Sequence, residues 1–150
     1  MIELKIKNLD RLIDITEQFP AIAEKHVNQA IARSIVRILG QEKREAPFGV
    51  TGHLRDNWAT NFGRFTGSLR SNSEYSAAVE YGTSPHYVSP QQLAPWAAKK
   101  GLNPYAVSKS ILKKGTKANP FFKRSVSSQE SDVQNEFDIA IKNILKEVSF

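Results

Sequence analysis

Residues 20–45 read PAIAEKHVNQAIARSIVRILGQEKRE, and the spacing of their apolar side chains decides the fold class. Ile22, Val27, Ala30, Ile31, Ile35 and Ile38 recur at helical intervals, whereas Gln29, Arg33, Arg37 and Glu42 lie mostly off that face. Pro20 has a φ already suited to a first helical turn, and Pro47 biases Ala46 away from the helical region. A long helix is therefore predicted from Pro20 to about Glu45, with a loop marked by Gly49 and Gly52 after it.

Upstream of this helix, Ile2, Leu4 and Ile6 alternate with Glu3, Lys5 and Lys7, the period of a short strand with one buried face. Asp10 is placed to cap a short helix running through Gln18. Downstream, Leu54–Phe62, Ser68–Ser71 and Tyr75–Tyr81 read as three short strands, with Gly63, Gly67 and Ser71-Asn72-Ser73 as turns between them. In the third run Tyr75, Ala77, Val79 and Tyr81 share one face and Glu80 points to the other, so an antiparallel meander is expected.

The segment after the meander has the sharpest punctuation. Ser89-Pro90 with Gln92 forms an opening signal, and Lys99-Lys100-Gly101 an ending; Asn103-Pro104 and Lys113-Lys114-Gly115 repeat the pair. Two short helices follow, with lysines in the last turns where the helix dipole is negative. Pro95 removes one hydrogen bond inside the first and is expected to kink it. Asn119-Pro120 opens a third helix, along which Val133, Phe137, Ile141, Ile144, Leu145 and Val148 form an apolar face. Ser125, Ser127, Ser128 and Ser131 weaken its middle. The predicted fold is α+β, a small antiparallel sheet packed by a long N-terminal and a C-terminal helix, with a helical insert over about residues 85–115.

Composition bounds the function. The 150 residues fit one domain, 1–150, able to bury roughly 70% of its unfolded surface. No apolar run approaches the roughly 18–20 residues of a membrane span, and the N-terminus lacks a signal-peptide core, so a soluble, non-exported protein is expected. The absence of cysteine excludes disulfides, thiol nucleophiles and thiolate metal sites, as fits a reducing cytoplasm. His26, His53 and His86 lie in different elements without the spacing of a helical metal site, and Glu80 with His86 lacks a nucleophile or second acid. No phosphate-cradling glycine loop is present. Neither catalytic residues nor a metal or cofactor site is expected.

The formal net charge of +6 is unevenly spread. Tyr81–Gln129 contains no Asp or Glu, yet Lys99, Lys100, Lys109, Lys113, Lys114, Lys117, Lys123 and Arg124 supply eight positive charges. Such a block expects an acidic partner, either nucleic acid or a protein surface. Its lysines also suit the bland role of solvated helix ends. His86, Trp96, Lys99, Lys100, Tyr105, Lys109, Lys113, Lys114 and Lys117 are the candidate contact residues.

Four local patterns, taken in order, carry a resemblance. They are Ala46-Pro47 leading to Thr51-Gly52-His53-Leu54-Arg55; Tyr75 to Thr83, ending Val79-Glu80-Tyr81-Gly82-Thr83; Trp96-Ala97 with Lys100-Gly101; and Lys114-Gly115-Thr116-Lys117-Ala118-Asn119-Pro120-Phe121-Phe122. Together they resemble the tail-completion, or head-tail joining, family of long-tailed bacteriophages, often called a minor tail component. The similarity runs from about Leu9 to Leu145; Ser76 stands where the family more often has alanine, and Gly49-Val50 lengthen the turn before Thr51. The resemblance implies a structural virion protein of a phage or prophage, assembled in the host bacterial cytoplasm. It further implies a hexameric ring in the neck between the head connector or stopper and the tail terminator or tail tube, around the DNA path. It implies no enzymatic activity, and the isolated chain can remain monomeric until it meets a preformed ring. Gly52, Leu54, Arg55, Tyr75, Glu80, Tyr81, Gly82, Thr83, Pro120, Phe121 and Phe122 then become fold-defining, with Gly82 ending the meander and Thr83 fixing the turn locally. The alternative is a sequence-nonspecific DNA-binding module using the basic 99–124 segment.

Overall fold

A computed structural model describes residues 6–148. The fold is α+β: among the described residues, seven helices and one two-stranded antiparallel sheet. In chain order these are α1 (Leu9–Gln18), α2 (Pro20–Glu45), α3 (His53–Asp56), β1 (Trp58–Gly63), β2 (Thr66–Ser71), α4 (Ser76–Tyr81), α5 (Pro90–Lys100), α6 (Pro104–Lys114) and α7 (Phe121–Val148). The strand expected at the N-terminus lies mostly outside the described residues, and its last two, Ile6 and Lys7, are not in a strand. Two compact units make up the chain. The first comprises Met1–Glu42, Ala59–Arg70 and Ser125–Phe150, and the second Lys43–Trp58 and Ser71–Arg124.

In unit 1 the stripe read from residues 20–45 packs against the apolar face of α7. Val27 and Ala30 of the stripe, together with Ala23, meet Val133, Phe137, Ala140, Ile141 and Ile144, with Leu12 of α1 completing the cluster and Ile22, Ile31 and Ile38 packed against it. Each Val, Leu, Ile or Phe side chain taken fully out of water contributes roughly 1.5–3 kcal/mol, which outweighs the weak helix propensity of the serines in α7. α7 accordingly runs unbroken, with Ser125 fully buried and the Ser128 hydroxyl donating to the Ser125 carbonyl at 3.0 Å. Among the described residues of unit 1 two carboxylates are buried: Glu42, which the helical spacing places mostly off the apolar face, and Glu136, to which Arg37 Nε donates at 2.9 Å. At the hairpin turn, the Phe65 amide donates to Asn28 Oδ1 of α2 at 2.8 Å, so the turn is fixed to the helix.

α1 begins two residues earlier than a cap at Asp10 would allow. Asn8 precedes it in a left-handed conformation with no side-chain cap, and Asp10 sits in the first turn, where its charge favours the positive helix end.

His26 is buried and makes a 2.8 Å contact with Glu147 Oε1, which also accepts from Lys25 Nζ at 3.0 Å. The hydrogen bonds from Lys25 and then His26 hold the Glu147 carboxyl below its ordinary value of 4.5. A carboxyl lowered in the folded state adds stability that is present above its unfolded value and lost as pH falls through the folded one. Glu147→Gln is therefore expected to melt at a lower temperature than the parent at neutral pH, the gap closing as pH drops below the carboxylate range. Thermal melts between pH 3 and 7 check this.

Unit 2 departs from the meander. Its core is Ala46, Leu54 and Phe121, with Trp58, Val79 and Phe122 packed against it. The Trp58 ring stacks on Phe122 at 5.5 Å, and its Nε1 donates to the Leu54 carbonyl at 3.0 Å. The run expected as a first strand from Leu54 is instead α3 followed by β1, and the third expected strand, Tyr75–Tyr81, is the short helix α4. The seven residues Tyr75–Tyr81 are too few to separate a period of two from one of 3.6. What turns inward is the helical set Ser76, Val79 and Glu80, while Tyr75 and Tyr81 face solvent at 44% and 71% exposure.

Candidate functional site

The insert is built by local capping. Ser89 Oγ accepts from the Gln92 amide at 3.3 Å, and Asn103 Oδ1 accepts from Tyr105 and Ala106 amides at 2.9 and 3.4 Å. These satisfy first-turn donors that the helices cannot pair themselves. Gly101 closes α5 in a left-handed conformation, and the Leu102 amide reaches back to the Ala97 carbonyl at 2.8 Å. α5 stays helical through Pro95. α5 and α6 pack on one another; Ala97 is fully buried, and Ser108 Oγ donates to the Val88 carbonyl at 2.6 Å.

This hairpin sends its charge outward. Lys100, Lys109, Lys113, Lys114 and Lys117 are all exposed, and among the described residues none of them is in an ion pair. The cause is the acid-free stretch around them. Tyr105 is 68% exposed and Trp96 is partly buried. Lys99 differs from its neighbours: its Nζ donates to the Gly49 and Val50 carbonyls at 3.1 and 3.4 Å and lies 4.6 Å over the Phe48 ring. Arg55 covers the same ring at 4.6 Å. Lys99 therefore ties α5 to the loop before α3. Sequence spacing shows none of this, because the partners lie about fifty residues away.

The motif residues converge at the start of α7. The Glu80 carboxylate, buried, accepts from the backbone amides of Phe122 at 2.9 Å and Lys123 at 3.0 Å. It thus fills the N-capping place that Pro120 cannot fill, and puts a negative charge at the positive helix end. Thr83 and Thr116 form an antiparallel bridge, N–H to carbonyl in both directions at 3.1 and 3.2 Å, and their hydroxyls lie 3.0 Å apart. Thr83 thus fixes a long-range pairing as well as its own turn. The Asn119 amide donates to the Val79 carbonyl at 2.9 Å, and a Cβ on Gly82 would stand 2.5 Å from the Thr116 carbonyl oxygen. Gly52 and Leu54 are buried and Arg55 is partly so.

Glu80 and His86 do not form an acid-base pair. Glu80 is engaged by α7, whereas His86 Nδ1 contacts the Ser84 carbonyl at 2.9 Å and Thr83 Oγ1 at 3.3 Å. Among the described residues, no group of three or more His, Asp or Glu side chains could hold a metal ion, and no helix is long and apolar enough to cross a membrane.

Unit 1 also carries an apolar groove of about 680 Å³ lined in part by Leu9, Ile13 and Phe65. The spacing of Leu9, Leu12, Ile13 and Thr16 marks an apolar face on α1, but not which part of it folding leaves uncovered. Comparison with known proteins adds no relative: no family model, no curated protein and no solved structure matches this chain.

Proposed function

We propose that this chain is a structural subunit of a tailed-bacteriophage virion, a tail-completion or head-tail joining protein. In this reading six copies form a ring in the neck, between the head connector or stopper and the tail terminator or tail tube, around the path of the DNA. The subunit acts by shape and contact and carries out no reaction. The observation that supports it is the clustering of the four motif segments behind the resemblance. All four fall within unit 2, and the second and fourth are bonded to each other through Glu80, Thr83 and Asn119. A phage whose copy of this gene is disrupted is expected to accumulate separate DNA-filled heads and finished tails. Normal yields of joined, infectious particles from that mutant would overturn the proposal.

A second reading, a sequence-nonspecific DNA-binding module, is favoured by the exposed lysines of the insert. Salt separates the two. Phosphate neutralisation by five lysines would make duplex affinity fall steeply between about 50 and 200 mM salt. The ring reading expects no measurable duplex affinity for the chain alone at physiological salt.

A further inference from the structure

Two of the surfaces that the described residues leave exposed have complementary chemistry. The first is the groove of unit 1, walled by α1, α2, α7 and the hairpin turn through Leu9, Ile13, Ile31, Ile35, Phe65 and Phe137. Leu9 and Ile13 remain 48% and 49% exposed, so the apolar lining of the groove continues onto the open side of α1. Glu17 lines the groove, and Asp10 and Asp14 precede it by seven and three residues along the same flank of α1. The one basic residue of α1, Arg11, projects from the opposite side. The groove is therefore apolar inside and acidic at its lip.

The second surface is the outer face of α6. Tyr105 and Leu112, 68% and 51% exposed, stand two turns apart on one line of the helix. Lys109 lies between them and Lys113 beside them, and α6 carries no acidic residue. The inward face of the same helix is spoken for by Ser108 and the packing on α5. An aromatic and an aliphatic anchor edged by lysines is the form in which an amphipathic helix enters an apolar groove edged by carboxylates.

We infer that α6 of one copy docks in the unit 1 groove of the next. Tyr105 and Leu112 enter the groove, and Lys109 and Lys113 face Asp10, Asp14 and Glu17 along its lip. Because the two surfaces differ, every copy offers one of each, and the contact propagates head to tail until it closes on itself. The pairing rests on the ring reading for that closure, and it gives the basic insert an acidic protein surface as its partner.

The chain has no cysteine, so thiols introduced in pairs report one contact at a time. Full-length Ile13→Cys and Leu112→Cys proteins, mixed in equal amounts and oxidised, are expected to give a disulfide-linked dimer that neither gives alone. The mixture is tested both concentrated and in the presence of separated heads and tails. Using two singly substituted chains excludes a link within one molecule. Adding Lys109→Glu and Lys113→Glu to the Leu112→Cys chain is expected to cut the yield on the order of tenfold, and Asp10→Lys with Glu17→Lys on the other chain to restore it. No linked dimer under either condition overturns the pairing. So does a dimer from Ile13→Cys alone, which would set groove against groove, or a link from Ile13→Cys to a head or tail protein, which would assign the groove elsewhere. Joining of heads and tails by the unsubstituted chain is scored in parallel: failure of the link with joining intact sinks the pairing alone, and failure of joining sinks the ring function.

Discussion

Replacing Gly115 by alanine is expected to destabilise the protein by about 4 kcal/mol, from strain and overlap together. Gly115 has φ +71° and ψ −158°, a region open almost only to glycine, at the point where α6 ends and the Thr83–Thr116 bridge begins. An added Cβ would overlap the Thr83 carbonyl oxygen and stand 2.8 Å from the Ser84 carbonyl carbon, both backbone atoms that cannot rotate aside. Relief requires breaking the bridge, which would also release the Asn119–Pro120 approach to α7. Gly101 supplies the control. It too has a positive φ, +66°, but no atom lies within 4 Å of a Cβ built there. Gly101→Ala should cost about 1 kcal/mol, the left-handed penalty alone. With total stabilities commonly about 5–15 kcal/mol, the two variants should be well separated in urea denaturation. Equal midpoints for both would show that the packing around Gly115 is looser than described.

The second large effect is expected at Glu80. Its carboxylate is buried and accepts two backbone N–H groups of the first turn of α7. Glu80→Ala leaves both donors without that acceptor and opens a small void, at a cost of about 3 kcal/mol. Glu80→Gln keeps an acceptor oxygen for one donor and should cost roughly 1–2 kcal/mol. The loss should be local in origin, so exchange of the Phe122 and Lys123 amides is expected to accelerate far more than that of amides around Phe137. Wild-type stability in Glu80→Ala would mean that the first turn of α7 finds its partners elsewhere.

These two sites show where sequence reading succeeds and where it stops. The ends of α2, α5 and α6 are written in neighbouring residues: Pro20 and Pro47, Ser89-Pro90 and Gly101, Asn103-Pro104 and Gly115. Caps act within a turn of the chain, so local chemistry suffices to find them. The apolar stripes of α2 and α7 were equally legible because many residues repeat one period. α4 was not, since the seven-residue run Tyr75–Tyr81, with tyrosines at both ends on one face of a strand, fits a strand as well as a helix. Its deciding contact, Glu80 to the start of α7, spans more than forty residues. Lys99 reads as one more surface lysine until the loop carbonyls of Gly49 and Val50 are seen beneath it. The groove lined by Leu9, Ile13 and Glu17 is likewise a product of tertiary packing, which leaves open one side of an otherwise ordinary amphipathic helix.

Whether this chain is the piece which fastens a filled head to a finished tail can be tested directly in vitro. Purified protein is added to heads and tails prepared separately from particles that lack it, and the products are counted by electron microscopy. Conversion of the two populations into connected particles, rising with added protein to saturation, is the predicted result; heads and tails that stay apart at every concentration would contradict it.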